Sequence, residues 1–167
     1  MQSKRTARHH VIFAVSALAA VAALVLSSSA GRAETINGRC TPSKVRFVST
    51  DEQSSTTSMT PANVTGATTS FVQGGTSPSC VIVSVSAKTA TSANTALNLR
   101  ATLDGVANAL PEDVQADYNS GVYLAKSVNF IFQNVPPGGH RVRIQFWSNN
   151  GNSVSIAQIN TIIHHAP

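Results

Sequence analysis

Formal charge is sparse in this sequence, with Asp, Glu, Lys and Arg making up only 11% of its 167 residues. Cysteine is nearly absent too. Cys40 and Cys80 are the only two, 40 positions apart, which rules out a C-x-x-C redox motif. No histidine or further cysteine lies near either, so zinc-site spacing is missing. No G-x-S-x-G segment occurs, and no histidine has an acidic orienting partner identifiable from the sequence. A serine–histidine mechanism therefore has no support. The ligand and glycine spacing of an EF-hand is lacking. Strands do not alternate with helices, which speaks against a dinucleotide-binding or standard hydrolase fold. No cofactor or metal is implied, and the chain reads as a non-enzyme.

The charge that is present is unevenly placed. The whole chain is +5 with a pI near 9.8, but Lys4, Arg5, Arg8 and Arg32 all stand in the first 33 residues. Behind the basic head comes Val11–Leu26, VIFAVSALAAVAALVL, and then the small-residue stretch SSSAGRA. This order is that of a secretory signal peptide, with cleavage expected after Ala30 or Ala33. The 16-residue apolar run is shorter than the ~20 residues of a relaxed spanning helix. Retained, it would anchor the chain, and that is the one route to a membrane. Cys40 lies well beyond the run, which argues against lipid attachment. Once residues 1–33 are removed, eight basic residues face seven acidic ones, leaving +1. The basic pI is thus mostly a targeting feature and gives no footprint for nucleic acid. The expected location is secreted or periplasmic.

Residues 34–167 are the size of one domain. Their polar surface is drawn largely from Ser, Thr and Asn. Two cysteines in an exported domain imply a Cys40–Cys80 disulfide; the alternative is two separate buried thiols. Strict alternation marks Cys80–Lys88, with Val81, Val83, Val85 and Ala87 on one face. It also marks Ala96–Asp104, with Leu97, Leu99, Ala101 and Leu103 on one face and Arg100 on the other. Lys44–Ser49 and Thr68–Gln73 read as shorter strands. Residues 50–66 read as a Ser/Thr-rich loop whose threonines permit a short extended piece, and 105–121 as the place for a helical turn begun by Pro111. Val122–Val135 and His140–Trp147 read as paired strands around Pro136-Pro137-Gly138-Gly139. Ser148–Asn152 is expected to turn into a last strand, which needs a bulge near Ala157 to keep its phase. Seven to eight strands without a long helix predict an all-β, antiparallel β-sandwich, jelly-roll-like.

The ending, VPPGGHRVRIQFWSNNG followed by a strand closing in TIIHH, resembles the last hairpins of small bacterial secreted β-sandwich domains. The resemblance covers Val128–His165, implies a jelly-roll topology, and carries no catalytic residues with it.

Among candidate sites, the sole tryptophan stands out. Alternation places Trp147 beside Arg141, Arg143 and Gln145, an aromatic platform next to fixed donors. This strip fits a carbohydrate, an anionic or protein surface, or, equally, packing of Trp147 against a covering loop, the second sheet or a second copy. The acidic residues Asp104, Glu112, Asp113 and Asp117 are the weaker candidates, for Ca²⁺ or for a hydrolytic acid–base pair. His164 and His165 should face opposite sides of a strand and read as exposed tail histidines, with His140 a turn histidine that no spacing brings to them. Asn63-Val64-Thr65 is a glycosylation sequon. The reading that follows is a noncatalytic structural or binding domain. The alternatives are a carbohydrate-binding module built on Trp147 and an exported hydrolase built on residues 104–117.

Overall fold

The computed structural model describes residue 40 and residues 42–167; the leader and both cleavage positions lie outside the described residues. Nine strands follow in order: β1 (Lys44–Thr50), β2 (Ser54–Thr56), β3 (Ala62–Gln73), β4 (Ser79–Thr91), β5 (Ala96–Leu103), β6 (Val114–Tyr118), β7 (Leu124–Val135), β8 (Gly138–Ser148) and β9 (Val154–His165). They form two antiparallel sheets. Sheet A runs β1-β9-β4-β7, with β2 beside β9, and sheet B runs β3-β8-β5-β6. The antiparallel pairs β1·β9, β3·β8, β4·β7 and β5·β6 nest around the β5–β6 connection. Such a folded-back double strand, rolled into two sheets, is a jelly roll. The short β2 is the addition that takes the count past the expected seven to eight.

The core lies between the sheets and is supplied by the faces that alternation marked. Val81, Val83 and Val85 of β4, Leu97, Leu99 and Ala101 of β5, Phe130 and Phe132 of β7, and Val142, Ile144 and Phe146 of β8 are almost fully buried. On β9, Val154 and Ile156 point inward, and so do Ile159, Thr161 and Ile163. The two series differ in phase by one residue. A β4–β9 register shift between Asn160 and Ala157 absorbs the difference, with Gln158 at φ 49°. This is the bulge expected near Ala157.

Three expectations change. First, residues 50–66 hold the short extended piece that their threonines permit, but also the start of a long strand. Ser54–Thr56 pairs with Val154–Ile156, and β3 already begins at Ala62. Its irregularity falls between Asn63 and Thr68, where Gly66 takes φ +72° and lies so close to Thr50 that an added Cβ would meet its Oγ1 at 2.9 Å. Threonine-rich sequence is compatible with extended structure once a neighbouring strand supplies the ladder. Second, 105–121 forms no helical turn; Val114–Tyr118 is a strand that covers the β5 edge. The five residues have no helical apolar stripe, and a ladder partner for β5 wins. Third, the closing turns are not hairpins. The Asn134–Gly138 connection carries the chain from β7 in sheet A to β8 in sheet B, and Asn149–Ser153 carries it back to β9 in sheet A. Asn149 and Asn150 show why: the Ala96 N–H donates to Asn149 Oδ1, and Asn150 Nδ2 donates to the Asn94 carbonyl. The turn is tied to the β4–β5 connection instead of closing a ladder on itself.

Cys40 and Cys80 are joined in a disulfide, with Cα atoms 5.5 Å apart. It fixes the segment before β1 to the start of β4 and excludes the two-thiol alternative.

Candidate functional site

Sheet B turns one face to the core and the other to solvent. Register fixes what the outer face carries: Asn63 lies opposite Gln145, which lies opposite Arg100; Thr68 opposite Arg143 opposite Thr102; and Trp147 opposite Asn98. The four strip residues Arg141, Arg143, Gln145 and Trp147 therefore do share a face. Trp147 is half-buried. The Arg100 guanidinium sits over its ring, 5.7 Å from the centroid, within cation–π range. Arg100 Nε donates to Gln145 Oε1 at 2.8 Å, and Gln145 Nε2 donates to Asn63 Oδ1 at 3.0 Å. The result is a continuous polar row from Trp147 to Asn63, drawn from β8, β5 and β3. Each member holds the next in orientation, so little side-chain freedom is left for a ligand to remove.

Arg100 and Asn63 were not in the expected strip. Alternation already turned Arg100 outward, but only the β5·β8 register places it next to Gln145. Neither Arg100, Arg141 nor Arg143 forms an ion pair with a carboxylate among the described residues. Asp113 is the acid that senses this face. Its carboxyl is raised from the ordinary range, first by partial desolvation and also by neighbouring Glu112, while the Arg100 charge opposes the rise.

The acidic residues do not converge. Asp117 points inward from β6, buried, where it accepts from the Thr89 hydroxyl at 2.8 Å and lies 3.7 Å from Lys126 Nζ. It braces the two sheets across the core. Asp104 stands past the far end of β5, roughly 20 Å away by strand rise, well beyond the ~5–10 Å of a glycosidase carboxyl pair. Both Asp104 oxygens are engaged: Oδ2 meets His140 Nδ1 at 2.7 Å, and Oδ1 accepts from the Arg141 N–H at 2.8 Å. His140 Nε2 faces the Pro136 carbonyl at 2.8 Å. An imidazolium can donate to both oxygens and a neutral ring to only one. Asp104 thus clamps the end of β5 to the start of β8.

The clamp has a pH signature. Burial alone would raise the Asp104 carboxyl. The His140 and Arg141 hydrogen bonds and the His140 charge outweigh it and hold the group below its ordinary value. A depressed folded value contributes stability above the unfolded carboxylate range, near 3.9, and loses it as pH falls through the folded value. Asp104→Asn is therefore expected to flatten the acid limb below about pH 4 in a melting-temperature profile and to cost little else. The effect should stay under about 1 kcal/mol, because the carboxyl is 48% exposed. An unchanged acid limb would show that the clamp carries no charge-dependent stability.

His164 and His165 take opposite sides as expected, but His165 is not the exposed tail residue that its place near the end suggests. His164 lies on the outward side of β9 and His165 on the inward side, buried. Phe71 stands between His140 and His165, with ring centroids at 5.6 and 5.0 Å. Among the described residues, no group of three or more His, Cys, Asp or Glu is arranged to hold a metal ion.

Compared with protein-family models, with curated proteins and with solved structures, the chain matches none.

Proposed function

We propose that this is a noncatalytic, exported jelly-roll domain that binds an extended glycan across the outer face of sheet B. The observation that carries the reading is the row Trp147–Arg100–Gln145–Asn63, held by a cation–π contact and two hydrogen bonds on adjacent strands. An aromatic ring supplies a stacking surface for the apolar face of a sugar. Guanidinium and amide groups supply donors and acceptors at fixed positions. With no carboxylate ion-paired to Arg100, Arg141 or Arg143 among the described residues, the face favours carboxylated or sulfated glycans over neutral ones. Export rests on the leader pattern and is supported by the disulfide, which belongs to oxidising compartments.

The test is a titration of acidic and neutral glycans followed by Trp147 fluorescence and acrylamide quenching, repeated by calorimetry. Saturable binding of an acidic glycan is expected, with quenching reduced in the complex and affinity falling as salt rises. Trp147→Ala should weaken binding at least about tenfold, the scale of losing an aromatic anchor, and Arg100→Ala should remove the preference for acidic over neutral ligands. No saturable binding across the panel, or binding that Trp147→Ala leaves intact, would overturn the reading.

A further inference from the structure

The outer face of sheet A has a different character. Its outward rows read Val45–His164–Ile82–Ile131, then Phe47–Ile162–Ser84–Asn129, then Ser49–Asn160–Ser86–Ser127. At one corner Val45, Phe47, Ile82, Ile131 and Ile162 are contiguous. Phe47 is 69% exposed and Val45 58%. Along the remaining outward positions of β4 and β7, Lys88 is the one formally charged residue, and His164 is the one other titratable group in these rows. A solvated sheet face ordinarily carries mixed charge, and contiguous exposed apolar side chains mark interaction surfaces.

We infer that this face is a two-fold interface between copies of the chain. Two arguments select a second copy as the occupant. The first is electrostatic. In an isologous contact each surface meets itself, so a face with one lysine brings almost no like-charge repulsion, whereas the arginine-bearing outer face of sheet B would repel its own copy. Lys44 and Arg46 are exposed on β1 beside Val45 and Phe47, but alternation turns them to the other side of the strand, so the basic flank that a membrane surface would call for around the apolar corner is not on this face. The second is size. The 13-residue β4 spans about 44 Å, and four strands span about 19 Å. With β1 and β2 filling the edge column in succession, the face measures roughly 600–800 Å², close to the ~800 Å² each partner gives to a standard interface. Pairing through sheet A leaves the Trp147 face open on both copies, so a dimer would present two recognition faces at once.

Sedimentation equilibrium on the exported protein, from about 1 to about 500 μM, tests the inference. The expected result is reversible monomer–dimer association. Phe47→Lys and Ser84→Arg should each weaken it at least about tenfold, with circular dichroism unchanged. Trp147→Ala, on the opposite sheet, should leave it unaffected. A monomer across the whole range, a closed species larger than a dimer, or a dimer indifferent to both substitutions would overturn it. A monomer would also leave the chain's own N-terminal residues or another protein as the cover for the apolar corner. Because none of these outcomes depends on glycan, failure here is distinct from failure of the sheet B reading.

Discussion

Phe130→Ala is expected to destabilise the domain by about 3–5 kcal/mol. Phe130 has no exposed surface. It sits on β7 opposite Val83, which is in turn opposite Ile163 on β9, so its ring lies against the buried apolar side chains of three adjacent strands of sheet A. Truncation removes the ring's transfer free energy and leaves a cavity that the flanking strands cannot close without breaking their ladders. With a urea slope of about 1–3 kcal/mol/M, the unfolding midpoint should fall by roughly 1–5 M. Trp147, the only tryptophan, reports from the other sheet, so its transition should coincide with that seen by circular dichroism if the two sheets unfold as one unit. Should the variant not fold at all, Phe130→Leu keeps most of the volume and is expected to cost less than about 1.5 kcal/mol. Phe47→Ala is the contrast: same residue type, 69% exposed, and within about 0.5 kcal/mol of wild type. A loss below about 1 kcal/mol at Phe130 would mean that the sheets do not close over a packed core.

This contrast also marks what was legible in the sequence. The inward faces of β4, β5, β7 and β8 follow from period-two alternation, because the side-chain period of a strand is fixed by the backbone alone. Even the β9 bulge announces itself as a phase slip between Ile156 and Ile159. Strand partners are another matter. Asn150-Gly151 and Pro-Pro-Gly-Gly carry the chemistry of tight reversals, yet both lead from one sheet to the other. Local turn propensity says that the chain changes direction and leaves open whether the next strand pairs with the previous one or lies across the core from it. Asn149 and Asn150 decide this through bonds to residues 94–96, more than 50 positions away.

The same limit explains the candidate site. Arg141, Arg143, Gln145 and Trp147 were legible as one face because they lie on one strand. Arg100 and Asn63 complete the row from β5 and β3, and only register brings them there. The acidic residues were misleading for the converse reason. Four carboxylates within 14 positions look like a cluster, but β5 sends Asp104 to one end of the sandwich, and β6 buries Asp117 at the other. Both are then consumed by neighbours, Asp104 by His140 and Arg141, and Asp117 by Thr89 and Lys126.

Removing the disulfide is expected to cost about as much as emptying the core, by a different mechanism. The Cys40–Cys80 bond closes a 40-residue separation, and loop-closure entropy makes such a cross-link worth about 4 kcal/mol through the unfolded chain. The folded state should hardly change, because β4 keeps its ladders to β7 and β9 on both sides. The double substitution Cys40→Ser/Cys80→Ser should therefore lower the unfolding midpoint while leaving near-ultraviolet circular dichroism and the Trp147 emission maximum as they are in the oxidised protein. Kinetics can separate the two variants. β1 pairs with β9, the last strand of the chain, and the disulfide holds the segment before β1 at the head of β4, next to β9 in the sheet. Without the bond, this long-range closure must be found by diffusion, so most of the loss should appear as slower folding. Phe130→Ala should instead divide its cost between folding and unfolding rates according to how far the core has formed in the transition state. An unfolding midpoint that does not move when both cysteines are replaced would mean that the segment before β1 is not tied to β4 in the folded protein.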